Sequence, residues 1–483
     1  MILKKQNVRG LNMKNESKIT AREQKQLSRL EKLGKKKEYA GYFAVIILLV
    51  LAVNVIDEIT SSLPANLQSC YVTEFLAING RSYDDALALH GTISIISYVL
   101  GIITPFYKAL ADKIGRKPLF ALSTVGMSVG MFVAAIAPNY WVYLIGSSVM
   151  SFFIAHDIQI IYILEVAPPK HRARIYSVLK SVGIVGVVAI PWMRKVLMNN
   201  DPTRWRMVYL APAIAAFVAA LCVLLFARET KVYIEGRTAY LRRPYAERKA
   251  EAERLKSENK VDANKQGVFA GIKYLVKHRD LRSLMIFHVV FDVGLACVGL
   301  YHESMLKEAG YTTAETTQAL FLVPIFYAVC VFVSGFVADI IGRKKTILLF
   351  GTLHIIAFCS FVYGLSHGFN PTVLGVLCGI YQGGYWIGRD YMDIMVTEKV
   401  PTDIRASVLG ADGLIVTVGM AIGYLLCIVG IKFIGVSLSC LVVTVPCVAV
   451  AIIGVMLRVK ETKGAVMEEI ADSDDNENAY SGK

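Results

Sequence analysis

The heptapeptide ADKIGRK at residues 111–117 returns as ADIIGRK at residues 338–344, 227 residues further along the chain. Three more residues repeat at a shift of 233: Glu165, Pro168 and Arg172, at the predicted exit of one helix, are matched by Glu398, Pro401 and Arg405. Two anchors whose shifts agree to within a few residues indicate a duplicated unit. Membrane proteins with such repeats commonly place their binding site between the copies, so the chain is expected to have two related halves.

Apolar stretches recur along the whole chain, and hydrophobic residues make up 55% of its 483 residues. Stretches long enough to cross the roughly 30 Å hydrocarbon core begin near residues 41, 87, 118, 140, 173, 207, 283, 316, 346, 372, 406 and 434. This pattern predicts an all-α membrane protein with about twelve transmembrane helices in two pseudo-symmetric six-helix bundles. The predicted divisions are a basic cytoplasmic tail (1–38), a first bundle (39–227), a cytoplasmic central loop (228–281), a second bundle (282–457) and a cytoplasmic tail (458–483).

Basic residues predict the orientation of the chain in the membrane. The chain has 52 Lys and Arg against 38 Asp and Glu, a formal net charge of +14. The basic residues concentrate in the N-terminal tail, the central loop and the links on one side of the spans. Because basic links resist translocation, both termini are expected to be cytoplasmic, in a multi-pass protein of the cell membrane. The surplus charge then faces anionic lipid headgroups, and no nucleic-acid partner is predicted.

The N-terminal tail has no short apolar core with a small-residue cleavage site, so the first span is expected to stay uncleaved. Ile19, Leu27, Leu30 and Leu33 fall near helical spacing among Lys and Arg residues. This spacing fits a helix that lies on the inner leaflet, and a solvated tail is the alternative.

Each copy of the heptapeptide supplies an aspartate, a glycine and two cations to a short link between helices. The link residues are Asp112, Gly115, Arg116 and Lys117 in the first copy and Asp339, Gly342, Arg343 and Lys344 in the second. The glycine permits a tight turn, and the aspartate can face a helix N-terminus or an arginine such as Arg172 or Arg405. Such links could hold one bundle against the other. A basic loop with a turn glycine is the simpler alternative, but two copies in register favour the first hypothesis.

These links resemble the loop signature of the major facilitator superfamily, which lies between its second and third spans. Within that superfamily the chain is similar to the sugar-porter branch at two places: Glu165, Pro168 and Arg172 after the fourth span, and Glu461-Thr462-Lys463-Gly464 with Glu468, Glu469 and Ile470 after the last. The resemblance implies the twelve-helix fold, secondary transport and a monomer. Residues 287–294 lack the paired glutamines of the sugar porters' seventh span, so we predict the branch without a sugar substrate.

Polar and ionisable groups inside the spans are the first candidate site, because a charge in the bilayer is costly unless it is paired or lines a wet cavity. The candidate path for solute or protons consists of Asn54, Asp57, Glu58, His288, Asp292, Tyr385 and Trp386. The first three share one stripe of the first span, and His288 and Asp292 share one face of the seventh. A carboxylate in a half-dry cavity can take up and lose a proton, or it can hold a cationic amine directly. A static salt bridge is the alternative for each single residue.

A second group of charges is predicted closer to the cytoplasm, about two turns from the ends of the spans. The group consists of His156, Asp157, Lys180, Arg389, Asp390, Asp393 and Asp412. The pairs His156-Asp157 and Arg389-Asp390 are again related by a shift of 233. Opposite charges across the two halves could close the cytoplasmic side when paired and open it when hydrated, so we predict an inner gate. A static buried network that fixes helix packing is the alternative.

The predicted function is secondary transport of a small organic solute by alternating access, with proton-coupled uptake. Two alternatives stay open: a proton-driven exporter of cationic or amphipathic compounds, which the acidic first and seventh spans also suit, and a transport-inactive membrane sensor. An enzyme is not predicted, because no nucleophile, metal cluster or phosphate loop stands at a plausible spacing, and no metal or other cofactor is expected. The expected partners are the solute, protons and membrane lipid.

Overall fold

The computed structural model describes residues 21–35, 41–101, 114–154, 162, 181–199, 201–244, 247, 250, 268–400 and 405–462. Every regular element in these ranges is a helix, which confirms the all-α prediction. Seven helices in this described part are long and apolar enough to cross a membrane. A helix satisfies its backbone hydrogen bonds internally, which is why long apolar runs adopt this form in lipid.

The helices follow the order of the predicted spans. The first half contains α1 (Ala21–Gly34), α2 (Tyr42–Asn66), α3 (Gln68–Phe75), α4 (Tyr83–Gly101), α5 (Arg116–Ala135), α6 (Tyr140–Phe153), α7 (Ser181–Met198) and α8 (Trp205–Phe226). Next come α9 (Lys231–Arg242) and α10 (Val268–Lys277). The second half contains α11 (Arg279–Asp292), α12 (Leu295–Leu300), α13 (His302–Glu308), α14 (Thr313–Ile341), α15 (Arg343–Ser366), α16 (Pro371–Glu398) and α17 (Arg405–Arg458). Of the predicted starts, only the one near residue 173 falls outside the described residues.

The two ends of the helices define two faces of the protein. The terminal face carries the start of α2 and the ends of α8 and α17, and there the N–H of Arg228 donates to the Tyr42 hydroxyl at 3.2 Å. The distal face carries the end of α2 and the start of α8, and there Arg206 of α8 pairs with Glu74 of α3 at 2.7 Å.

The seventh predicted span consists of two helices rather than one. α11 ends at Asp292, and α12 begins at Leu295. α17 packs closely against this break. The approach is so tight that a Cβ atom on Gly423 of α17 would lie 1.9 Å from the carbonyl oxygen of Val293. In a bilayer, where apolar side chains gain little from leaving lipid, small residues at such crossings allow the helices to approach.

α17 contains the last two predicted spans, which meet at Gly435. This residue has a φ of 78°, a value that L side chains rarely adopt, and it turns the chain back at the distal face. The Glu308 carboxylate of α13 accepts the N–H groups of Val436 and Ser437 at 2.7 and 3.0 Å. A carboxylate at this position satisfies the first donors of the returning helix.

The N-terminal helix α1 lies against α9. Leu30 of α1 is 4% exposed and packs with Tyr233 and Leu241 of α9. Glu31 of α1 pairs with Arg242 of α9 at 2.9 Å. At Leu30 the apolar stripe of α1 therefore packs against α9 of the same protein. The sequence had predicted contact with the inner leaflet or with solvent at this position.

Candidate functional site

Five ionisable side chains of the second bundle, three of them buried, form one group, which we call the charge cluster. Its members are His288 and Asp292 from α11, Arg389 and Asp393 from α16, and Asp412 from α17. His288, Asp292 and Asp412 are at most 1% exposed. Helix α11 therefore meets the consecutive helices α16 and α17, which are distant from it in the sequence, at this cluster.

Asp292 is a paired carboxylate with both oxygens occupied. The Nε of Arg389 lies 3.1 Å from its Oδ1 and 3.0 Å from its Oδ2. The Tyr385 hydroxyl donates to Oδ1 at 3.1 Å. A buried ion pair needs this kind of additional hydrogen bonding to offset its loss of hydration.

His288 and Asp412 form the second pair of the cluster. The Nδ1 of His288 lies 3.2 Å from Oδ2 of Asp412. One polar atom from each of His288, Asp393 and Asp412 lies within 4.8 Å of the other two. Arg389 Nη1 lies 3.4 Å from Asp393 and so connects this trio to Asp292. The structure thus brings together residues that the sequence analysis divided between the solute or proton path and the inner gate.

The charge cluster lies near the middle of the spans. Arg389 stands nine residues before the end of α16, and His288 stands nine residues after the start of α11. At about 1.5 Å per residue, both are about 13 Å from the terminal ends of their helices. This is close to half of a hydrocarbon core of roughly 30 Å.

The donor types in the trio are ones that a divalent cation would also accept, namely an imidazole nitrogen and two carboxylates. The guanidinium of Arg389, however, already supplies positive charge beside Asp393 at 3.4 Å. A doubly charged ion next to it would be repelled. The geometry therefore fits the exchange of a proton better than a metal centre.

Two predicted residues of the first span, Asn54 and Glu58, lie where α2 meets α7. Asn54 and Asp57 are buried, at 5% and 0% exposure, and Glu58 is half-buried. A Cβ atom on Gly183 of α7 would lie 2.3 Å from Asn54 Nδ2 and 3.1 Å from Glu58 Cγ. The glycine therefore leaves room for these polar side chains between the two helices.

Charged groups of both bundles act electrostatically on Tyr327 of α14. This phenol lies within electrostatic range of Glu58 in the first bundle and of Asp390 and Arg389 in the second. Tyr327 is thus acted on both by Glu58 of the first span and by charges of the tenth span.

The two predicted aromatic residues of α16 differ in their surroundings. Tyr385 is fully buried, with its ring 4.7 Å from that of Phe291, and its hydroxyl holds Asp292. Trp386 is only partly buried, and the guanidinium carbon of Arg389 lies 5.6 Å from its ring centroid. Trp386 is therefore the one that can face a solute, while Tyr385 positions the cluster.

Several predicted residues lie outside the part of the chain that the structure describes: Asp112, His156, Asp157, Glu165, Pro168, Arg172, Lys180 and Pro401. The backbone of Arg405 begins α17, but its side chain is not among those described. The expected pairing of His156-Asp157 with Arg389-Asp390 across the bundles remains a prediction.

At the distal face a buried ion pair joins the two bundles. Arg194, at the π-helical end of α7, lies 3.3 Å from Glu303 of α13, and both side chains are 1% exposed. The N–H of Ser69 in α3 donates to Glu303 at 2.6 Å, and Nε of Arg194 donates to the Thr317 hydroxyl of α14 at 3.1 Å. We call Ser69, Arg194, Glu303 and Thr317 the distal closure.

Neither Arg194 nor Glu303 is among the residues predicted from the sequence. Arg194 stands within the apolar α7, so the rule that marks charges inside spans could have found it. Glu303 is an ordinary carboxylate in a polar link, and only the packing of α13 against α7 reveals its partner.

The two predicted links have matching backbone conformations. Gly115 has a φ of 110° and Gly342 has a φ of 93°. Each glycine precedes a helix, α5 or α15, and each adopts a conformation that an L side chain would strain. The turn that the sequence predicted at these glycines is therefore present in both copies.

A glutamate caps the helix that follows each link. Glu229 accepts the first two N–H groups of α5 at 2.8 and 3.3 Å, and Glu461 accepts the first two of α15 at 2.9 and 3.1 Å. Both glutamates begin the tripeptide Glu-Thr-Lys, and they form a third anchor of the repeat that the sequence analysis did not align. Burial raises the pKa of the Glu229 carboxyl above its ordinary value, although the N–H groups act in the opposite direction.

The second link also contacts the predicted helix exit. Arg343 pairs with Glu398 at 3.2 Å and with Asp339 at 3.6 Å. These contacts connect α14, α15 and α16 of a single bundle. The link contacts described here thus stay within one bundle, whereas the sequence suggested that they could hold one bundle against the other.

Comparison with known proteins agrees with this architecture. Residues 43–473 match the family model described as sugar (and other) transporter. The chain is 26% identical over 448 residues to D-xylose-proton symporter-like 2 of Arabidopsis thaliana, covering 85% of this chain and 86% of that protein. It is 23% identical over 328 residues to the glucose transporter GlcP of Staphylococcus epidermidis, covering 65% and 72% of the two chains.

Solved transporters share the fold at low sequence identity. A crystal structure of a D-xylose-proton symporter has a TM-score of 0.65 at 14% identity, over 88% of this chain and 100% of that one. The inward-open xylose transporter XylE from E. coli has a TM-score of 0.62 at 15% identity, over 89% and 99%. Since the family model matches most of its length, the chain belongs to the sugar (and other) transporter family and is a multi-pass membrane transporter of the major facilitator fold, not an enzyme.

Proposed function

We propose that this chain is a proton-coupled uptake carrier for a small polar organic solute, and that it works by alternating access. The observation that carries the proposal is the distal closure, which seals one face between the two bundles by means of charged groups. A carrier of this kind must be able to close and reopen each face in turn.

The distal closure has the chemistry of a reversible seal. Arg194 and Glu303 are 1% exposed while paired, but they stand at the distal ends of their helices. If the bundles separate there, water can hydrate both charges and so replace the energy of the ion pair. An apolar seal would lack this compensation on opening.

The groups near Tyr327 suit a small polar solute. Asn54 and Glu58 offer amide and carboxylate groups from the first bundle, and Arg389 offers a guanidinium donor from the second. Trp386 adds a partly exposed aromatic surface beside Arg389. Polar groups that fix orientation, together with an aromatic wall, are typical of small-molecule sites.

The exporter of cationic compounds receives less support from this geometry. That hypothesis uses the carboxylates of the first and seventh spans, Asp57, Glu58 and Asp292, to hold an amine. Arg389 and Tyr385 already occupy both oxygens of Asp292. An incoming cation would have to displace a guanidinium from a buried carboxylate.

The orientation is proposed from the charges. The described segments Ala21–Gly34 and Lys231–Arg242 carry more basic than acidic residues and adjoin the terminal ends of α2 and α8, so we propose that this face is cytoplasmic in a protein of the cell membrane. The distal closure then lies on the external side. A monomer surrounded by lipid is sufficient, because each candidate group above comes from the same chain.

The test is solute-driven proton movement in liposomes that contain the purified protein and a pH-sensitive dye. The solute panel is D-xylose, D-glucose, myo-inositol, nicotinate and a set of organic amines and acids. Uptake of one solute with movement of protons in the same direction, reduced in Asp57→Asn and Asp292→Asn, is the expected result. Proton movement opposite to the solute would favour the exporter, and absence of both fluxes across the panel would favour the sensor.

A further inference from the structure

The charge cluster contains more negative than positive charge. Asp292, Asp393 and Asp412 contribute three carboxylates, whereas Arg389 is the one guanidinium paired with them in the described part of the chain. With a neutral His288 imidazole, the five side chains carry a formal charge of minus two. A net charge at this depth is strongly unfavourable, so the cluster should bind protons or another positive partner.

The surroundings of His288 are mostly acidic. The charged groups that act on it are Asp292 on its own helix, Asp393 on α16 and Asp412 on α17. Arg389 and Asp390 lie next to Asp393 on α16. Of these neighbours, Arg389 alone is cationic.

Two buried polar atoms of the cluster have no hydrogen-bond partner among the described residues: His288 Nε2 and Asp412 Oδ1. The other nitrogen and oxygen of this pair face each other at 3.2 Å. An imidazole and a carboxylate in this arrangement can take up one proton without moving a heavy atom. The acidic surroundings therefore favour protonation of the pair, and the pair has polar atoms that can bind the proton.

Asp393 connects this pair to the terminal face. Its side chain is 40% exposed, whereas those of His288 and Asp412 are at most 1% exposed. It stands five residues before the end of α16, which is about 8 Å at 1.5 Å per residue. Asp393 is thus the member of the cluster that water on the terminal side can reach.

We propose that His288 and Asp412 hold the coupling proton, and that Asp393 passes it to water at the terminal face. The proposal rests on the proposed function, since a coupling proton requires a transported solute. In the transfer, an N–H or O–H bond of the pair breaks as an O–H bond forms on Asp393, which then releases the proton to water. Arg389 bridges Asp393 and Asp292 and contacts Trp386, so release of the proton changes the charge beside the solute path.

The first experiment needs no solute and uses Trp386 as the probe. The intrinsic fluorescence of the purified protein in detergent is titrated between pH 5 and 9, and the same titration of Trp386→Phe is subtracted. We expect one titration in the difference signal, with a midpoint that shifts by at least one pH unit or disappears in His288→Gln and Asp412→Asn. Asp201→Asn, which removes an exposed carboxylate at the distal face, is the control and should keep the wild-type midpoint.

An unchanged midpoint in His288→Gln and Asp412→Asn would overturn the proposal. If neither buried variant folds, Asp393→Asn replaces them, because its partly exposed side chain tolerates the change. Asp393→Asn removes a negative charge within 4.8 Å of the pair, so the midpoint of the same titration should move to lower pH, and an unaltered midpoint would also overturn the proposal.

The second experiment separates this proposal from the proposed function. In liposomes, the ratio of pH-gradient-driven accumulation to solute exchange is measured for whichever solute of the panel is exchanged. We expect this ratio to fall at least tenfold in Asp412→Asn and to stay unchanged in Asp201→Asn. A normal ratio in Asp412→Asn, or accumulation driven by a sodium gradient in place of the pH gradient, overturns the proton assignment. If the wild type exchanges no solute, the proposed function fails, while the Trp386 titration still decides whether the pair binds a proton.

Discussion

Asp292 illustrates how much one buried carboxylate depends on its neighbours. It is fully buried, and its partners are one guanidinium and one phenol. Arg389, by contrast, is 22% exposed at its side chain and has a second partner in Asp393. The two members of the pair should therefore respond differently to removal of the other.

We predict that Arg389→Gln destabilises the protein more than Asp292→Asn does. Arg389→Gln leaves Asp292 charged and buried, which costs about 3–5 kcal/mol of the free energy of unfolding. Asp292→Asn leaves Arg389 with Asp393 and some water, and should cost about 1–2 kcal/mol. The free energy of unfolding in mixed micelles measures both, and equal losses would contradict the asymmetry. The double variant should recover part of the loss, because it removes both charges.

At the level of helices, the packing of α17 against α11 determines the geometry of the charge cluster. Gly419 and Gly423 lie one turn apart, and a Cβ atom on them would lie 2.2 and 1.9 Å from the carbonyl oxygens of Val289 and Val293. This close approach brings Asp412 of α17 to His288 of α11.

We predict that Gly423→Ala disrupts this contact. Its methyl group would overlap a backbone oxygen, which cannot move without displacing the helix, so a loss of about 3 kcal/mol or more is expected. The thermal unfolding midpoint and the yield of monodisperse protein are the measurements. Gly335→Ala of α14 is the matched control, since a Cβ atom there meets no described atom within 4 Å. Similar behaviour of the two variants would show that the α11–α17 contact is not tight.

The glutamate caps at the terminal face have a pH dependence that can be tested at Glu229. Its pKa is raised by burial above the ordinary value of 4.5, so the folded protein favours the protonated form. The stability from this group is fully present below pH 4.5 and is lost as the pH rises through the raised pKa. Glu229→Gln has no such titration.

We therefore expect the unfolding midpoint of the wild type to fall relative to Glu229→Gln between pH 5 and 8. Glu235→Gln, an exposed position on α9, controls for removal of a nearby carboxylate. Parallel pH profiles of the wild type and Glu229→Gln would exclude this assignment.

At the scale of the whole molecule, the ion pair of Arg194 with Glu303 joins the two bundles at the distal face. Cys70 lies beside Ser69 in α3 and is 4% exposed, and burial raises the pKa of its thiol to about 11. A thiol in this state reacts slowly with a maleimide. Cys70 can therefore report whether the distal face opens.

We predict that Arg194→Gln raises the rate at which a membrane-impermeant maleimide labels Cys70 by at least tenfold, equivalent to about 1.4 kcal/mol. The substitution leaves Glu303 buried without its cation, which favours separation of the bundles. Arg204→Gln is the control, because its pair with Asp201 is exposed on the same face. Equal labelling rates would mean that Arg194 does not hold the face closed.

The fold and the family could be predicted from the sequence because both depend on local or repeated patterns. Apolar runs of the length of a bilayer predict spans wherever they occur, and the copies at 111–117 and 338–344 repeat the same turn. The spacing of Asp57 and Glu58, or of His288 and Asp292, likewise shows which residues share a helix face. The break between Asp292 and Leu295 was not predicted, because Val293 and Gly294 continue the apolar run.

The pairing of the charges depended on the tertiary structure. A bilayer favours helices but does not set how each is rotated or how far it slides along its neighbour, so residues of α11, α16 and α17 could have met in several ways. Glycines at the crossings select the arrangement that joins Asp292 to Arg389 and His288 to Asp412. Likewise, Arg194 and Glu303 are 109 residues apart, and nothing in the sequence pairs them; only the packing of the two bundles brings them together and removes water from both.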